Sequence, residues 1–113
     1  MKAKSIATVL PVPDLGEAVG FWSAALGVEP TFVDGERWAQ FDLEGRRLAL
    51  AGSDRASEQA GVMVKVEDVE AAAAELAGHG VELGPVEEGP HELRRSGVAP
   101  GGFSLVIYAP RPG

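Results

Sequence analysis

Two hydrophobic periods follow one another along this chain, and the sequence of periods occurs twice. Residues 5–10 form a short run of β-formers. Beyond two prolines, Asp14 stands where a helix cap is expected, and Glu17 is placed to complete a capping box. Leu15, Ala18, Val19, Trp22 and Leu26 then share one helical face, and Gly27 is a natural helix end. Strand-like segments follow at 28–33, 38–43 and 48–51, separated by the turn pairs Asp34-Gly35 and Glu44-Gly45. The predicted order is β-α-β-β-β.

A polar linker over 52–59 is expected to be loose. The order then repeats, with a strand at 62–66 and Asp68 capping a second helix. Val69, Ala72, Ala73 and Leu76 form its face and Gly80 closes it. Strand character returns at 81–83, 91–98 and 103–108. Val12-Pro13-Asp14-Leu15 is answered by Val66-Glu67-Asp68-Val69, a step of 54 residues, and Gly27-Val28-Glu29 by Gly80-Val81-Glu82, a step of 53. A period near half the chain means two copies of one supersecondary unit. The expected fold is α+β, one domain over 1–113 built of two βαβββ modules at 4–52 and 60–110. Their sheets would curve around a cleft between the halves, a natural ligand site.

Alternation assigns the faces. Ala39, Phe41 and Leu43 suit the helix side of the first module, which sends Trp38, Gln40 and Asp42 to the cleft. Setting Gly45 on Gly102 pairs Leu48 with Leu105, Ala49 with Val106 and Phe41 with Val98. The same logic sends Ala7, Val9, Arg47, Ala49, Gly61, Met63, Arg95, Ser104, Val106 and Tyr108 to the cleft.

Composition narrows the classes. The 113 residues carry a formal net charge of −7, which argues against nucleic acid, since that partner needs a basic face. The acidity suits a cationic ligand but reads first as solubility. No apolar run is long enough for a membrane helix, and the start is broken by prolines too early for a signal peptide, so the cytoplasm is the expected compartment. The absence of cysteine excludes disulfides and thiolate chemistry. Glu87-Glu88 reads as a solvated charge run.

Leu10-Pro11-Val12-Pro13-Asp14-Leu15, Phe21-Trp22 and Ala25-Leu26-Gly27 resemble the opening signature of the vicinal oxygen chelate superfamily. That superfamily includes glyoxalase I, extradiol dioxygenases and bleomycin-resistance proteins. Pro100-Gly101-Gly102-Phe103 resembles its turn before the last strand, with Ala99 and Gly101 where the pattern has acids. The resemblance implies the duplicated βαβββ fold and, in the metal enzymes, four strand-borne His or Glu ligands. Carried onto this sequence, those positions are Ala7, Ala49, Gly61 and Val106. None offers a lone pair, so the resemblance is to a member with no metal site and no cofactor. His79, in the last turn of the second helix, reads as a dipole partner, and His91 as a solvated imidazole.

The cleft side chains must then do the work. The candidate ligand-binding set is Trp38, Gln40, Arg47, Met63, Arg95 and Tyr108. Trp38 is either a stacking platform or part of a subunit interface. Arg47 and Arg95 are placed to fork onto a carboxylate or phosphate, or to pair with surface glutamates. Tyr108 offers a ring and a hydroxyl, or covers a sheet edge. The expected function is small-molecule binding of the bleomycin-resistance type, sequestering an aromatic drug or natural product. A symmetric homodimer is expected. One alternative is a metal-free isomerase or cyclase acting on a small carbonyl compound through Arg95, Tyr108, Gln40 or Asp42. A glyoxalase-like lyase or dioxygenase, or a protein-binding cleft, are the others.

Overall fold

The computed structural model describes residues 1–112. Strand β1 (Ser5–Pro11) leads into helix α1 (Leu15–Leu26), and the first module continues with β2 (Phe32–Asp34), β3 (Trp38–Leu43) and β4 (Arg46–Ala51). The second consists of β5 (Gly61–Lys65), α2 (Val69–Ala77), β6 (Glu87–Glu88), β7 (Glu92–Val98) and β8 (Ser104–Pro110). The fold is α+β, with the βαβββ order made twice.

Contacts divide the chain into two compact units, Ala7–Ala60 and a second formed by Met1–Ile6 with the chain from Gly61 onward. The first residues join the second unit through specific bonds. The Lys4 N–H donates to the Lys65 carbonyl at 2.8 Å, and the Met1 amino group pairs with the Glu75 carboxylate.

In the first unit the strand order is β2-β3-β4-β1, with β1 parallel to β4 and the other pairs antiparallel. The helical crossover makes the parallel pair possible. Asp14 caps α1 by accepting from the Glu17 N–H at 3.0 Å, and Gly27 ends it at φ 72°, where a side chain would be strained. Glu17 makes no return bond among the described residues, so only half of the expected capping box forms. The helix lays Leu15, Ala18, Val19, Trp22 and Leu26 on Ala39, Phe41, Leu48 and Leu50. Trp22 is half-buried and meets Phe21 edge to face at 5.2 Å.

The second unit repeats this as β5-β8-β7-β6, again with one parallel pair, β5 with β8. Asp68 accepts from the Glu70 and Ala71 N–H groups at 3.0 and 3.1 Å. Val69, Ala72 and Ala73 pack on Val66, Leu83, Ile107 and Ala109.

Four expectations change. The strand predicted at 28–33 is regular only over Phe32–Asp34, and 81–83 is not a strand. Glu87–Glu88 forms an edge strand, paired antiparallel to β7. An exposed edge rich in charge is a common defence against strand-to-strand aggregation. The linker is held: Arg55 donates to the Gly52 carbonyl at 2.7 Å and to the Val12 carbonyl at 2.9 Å.

The fourth change is in register. Leu48 faces Phe41, but Leu105 faces Gly97, so Phe41 corresponds to Gly97 and not to Val98. The β7–β8 turn holds one residue more than its counterpart. It closes through the Ala99 N–H on the Phe103 carbonyl at 2.8 Å, with Gly101 and Gly102 at φ 95° and 88°. A one-residue slip exchanges the faces of a strand, and β7 is therefore inverted relative to the sequence reading.

Candidate functional site

The first module presents a polar and aromatic face opposite its helix. Ala39 and Phe41 are buried under α1, so Trp38, Gln40 and Asp42 point the other way. Their β4 partners are Ala51, Ala49 and Arg47. Of these, Ala49 and Ala51 are almost fully buried.

Hydrogen bonds order this face. Asp42 accepts from Arg47 Nε at 2.9 Å through Oδ1 and from Thr31 Oγ1 at 2.7 Å through Oδ2. The Arg47 hydrogen bond, followed by that from Thr31, holds the Asp42 carboxyl below the usual carboxylate range. Trp38 Nε1 donates a long bond, 3.4 Å, to Gln40 Oε1, and the Gln40 side chain adds a smaller contribution to the hold on Asp42. Phe32, 53% exposed, lies opposite Gln40 and adds a second ring to the face. Sequence reading placed Phe32 in a strand without orienting it, and Thr31 was not singled out at all.

In the second module Met63 and Tyr108 also lie opposite the helix, because Val64 and Ile107 are the residues turned toward α2. Arg95 does not join them. It pairs with Ile107 on the helix side, where its guanidinium donates to the Gly84 carbonyl at 2.6 Å, the Leu83 carbonyl at 3.1 Å and Glu70 at 3.2 Å. It ties the loop after α2 to the helix start and is structural. The register slip puts Arg94 on the face assigned to Arg95, directly opposite Tyr108.

The two expected donor positions of each module can be tested for fit to a metal ion. Ala7 and Ala49 in the first are 3% and 0% exposed and offer no donor. Val106 in the second offers none either. Gly61 is a stronger case. A Cβ there would overlap the Ser104 carbonyl oxygen and lie 2.6 Å from its carbon and 2.7 Å from the Ser104 nitrogen. No side chain fits at Gly61 unless β8 moves. His79 and His91 are exposed. Among the described residues, no group of three or more His, Cys, Asp or Glu is arranged to hold an ion. These residues do not fit the metal centre that the resemblance implies.

A separate open pocket of about 590 Å³ lies on the helix side of the second module, lined by Asp68, Val69, Glu70, Val86 and Leu93 among others. Two of its three acids already have tasks, Asp68 as cap and Glu70 as partner of Arg95. None of the candidate ligand-binding residues lines it. No helix of the described residues is long and apolar enough to cross a membrane.

No curated protein matches the chain. A chain described as NAD-dependent benzaldehyde dehydrogenase from Legionella pneumophila superposes with a TM-score of 0.81 at 16% identity, covering 94% of this chain and 99% of that one. A glyoxalase/bleomycin resistance protein/dioxygenase superfamily member from Vibrio splendidus 12B01 gives 0.68 at 17% identity, with 92% and 97% covered. Methylmalonyl-CoA epimerase from Mycobacterium tuberculosis gives 0.66 at 22% identity, with 99% and 94% covered. At such identities these likenesses speak to fold alone. The family profile goes further, because it matches the sequence itself over residues 5–95. The chain belongs to the Glyoxalase/Bleomycin resistance protein/Dioxygenase superfamily.

Proposed function

We propose that this protein is a metal-free small-molecule binding protein that sequesters a planar aromatic drug or natural product in the cytoplasm. The observation that carries the reading is the face of the first module. Trp38 and Phe32 supply rings, Gln40 supplies an amide, and the Asp42–Arg47–Thr31 cluster is fixed by its own hydrogen bonds. Rigid aromatic platforms beside a few ordered polar groups are what a small-molecule site requires. The blank donor positions and the close approach at Gly61 support the metal-free part. Met63 and Tyr108 are proposed as further ligand contacts on the second module.

Binding is favoured over catalysis by the electrostatics of Asp42. Proton abstraction beside a carbonyl calls for a base poised near the working pH, and Asp42 is held in the opposite direction.

Assembly as a symmetric homodimer belongs to the same reading. Phe32 and Val33 in the first module, and Val98 and Phe103 in the second, leave apolar surface that a second copy would cover. Light scattering at micromolar concentration should give twice the 11.8 kDa chain mass, and the monomer mass would remove this part.

The test of function begins with native mass spectrometry of the purified protein, to identify a copurifying compound. Trp38→Ala should then weaken its binding about thirtyfold, the effect of truncating an aromatic contact worth about 2 kcal/mol. The variant should fold, since Trp38 lies outside the helix-side core. Unchanged affinity would make the indole structural and remove the main support for a ligand on this face.

A further inference from the structure

The open pocket on the helix side of the second module lies where α2 begins, and its volume of about 590 Å³ is that of a small-molecule site. Leu93 on β7 and Ala109 on β8 are register partners in its lining, beside Val69 from the first turn of the helix. Val86 also lines it and is 43% exposed, so an apolar side chain stands open beside a largely apolar floor. Pro110 and Pro112 form a further wall, and that wall is fixed. The Arg111 N–H between them donates to the His91 carbonyl at 3.1 Å, and Arg111 Nη1 to the Gly89 carbonyl at 3.3 Å. The pocket is therefore shaped before anything enters it.

Its charge has one sign. Among the described residues, the ionisable groups lining the pocket are Glu67, Asp68 and Glu70, with no lysine, arginine or histidine. Glu70 is balanced by Arg95 Nη1 at 3.2 Å, and the Arg111 guanidinium is turned to Gly89 and to Glu88 at 3.5 Å. The Glu67 carboxylate has no hydrogen bond or ion pair among the described residues. A helix start by itself would favour an anion. Here Asp68 has taken that place, accepting the Glu70 and Ala71 N–H groups through Oδ1. An incoming anion would meet two carboxylates, whereas a cation would meet them with nothing to displace.

We propose that this pocket binds a small hydrophobic ammonium compound. The apolar body lies against Val69, Val86 and Leu93, and the ammonium group sits between Glu67 and Asp68. The acidity of the whole chain, net −7, adds a long-range attraction of the same sign. The site shares no residue with the ligand contacts given for either module and lies on the helix side, away from the Trp38 face.

The test is a two-dimensional amide NMR titration of the full chain with phenethylamine, phenethyl alcohol and hydrocinnamate, which differ in charge on one apolar body. The amine should shift the amides of residues 67–70, 86, 93 and 109. The alcohol should bind more weakly and the carboxylate not at all. Glu67→Gln should weaken the amine about two- to fivefold, as loss of an exposed charge partner does, and leave the alcohol unchanged. Val86→Lys places an ammonium on the wall at an exposed position and should weaken the amine about tenfold or more. Glu29→Gln removes the same charge from an exposed position of the first module and should change nothing. A dispersed spectrum shows that each variant folds. Equal binding of the alcohol or of hydrocinnamate, amine shifts that avoid these residues, or full amine binding by both Glu67→Gln and Val86→Lys would overturn the site. None of these outcomes involves Trp38, so the first module's reading would stand or fall separately.

Discussion

Asp42 illustrates how much one side chain's neighbours decide. Its carboxylate is held ionised first by the Arg47 hydrogen bond and then by Thr31, so its folded pKa lies below its unfolded value. A depressed carboxyl pKa contributes stability that is fully present above the unfolded value, about 3.9. That contribution is lost as pH falls through the folded value. Asp42→Asn should therefore be less stable than wild type at neutral pH, by a modest amount because the pair is partly exposed to solvent. The gap should narrow below about pH 4. Urea unfolding at both pH values checks this, and a gap that widens in acid would contradict it. At this scale the sequence was legible wherever alternation was unbroken. Trp38, Gln40, Asp42 and Arg47 lie on the face expected of them.

The elements were legible where their ends carry chemistry. Asp14 and Asp68 cap their helices as their positions suggested, since a carboxylate before an apolar periodic run satisfies amide N–H groups that have no helical partner. The α2 cap serves two N–H groups, and its helix is only nine residues long. Asp68→Ala should cost about 1 kcal/mol, read from thermal or urea unfolding, while Asp68→Ser should recover most of it. Loss of stability equal in both variants would assign the effect to something other than the cap. What could not be read was β7. Its face depends on the length of the turn over 99–103, and Gly45 and Gly102 looked equivalent although the turns they close differ by one residue. Glycine marks a turn but does not count its residues. That single miscount exchanged Arg94 and Arg95, sending a structural arginine into the expected ligand set. The edge strand Glu87–Glu88 was hidden for a different reason. Two glutamates have low strand propensity, and their pairing with Leu93 and Arg94 is decided by the neighbouring strand.

At the scale of the whole molecule, the duplication is the feature that sequence reading captured best. Both units repeat the same strand order with one parallel pair each, as the 54- and 53-residue steps implied. The superfamily's fold is therefore intact, while the positions that the resemblance implies for metal donors hold alanine, glycine and valine. On the metal-free reading, elemental analysis after dialysis should find no stoichiometric zinc, nickel, manganese or iron. Chelator should leave the melting temperature unchanged, because an ion bound only by the native state would stabilise it. One tightly held ion per chain would contradict this.

The central claim is that a planar ligand binds on the Trp38 face without a metal, and intrinsic fluorescence tests it most directly. The chain has two tryptophans, and Trp22 packs beneath the first sheet against its helix-side core. Titration of the copurifying compound, with chelator present throughout, should quench the wild-type protein, and Trp38→Phe should lose most of that change. Quenching that persists in Trp38→Phe, or that disappears when chelator is added to the wild type, would contradict the account.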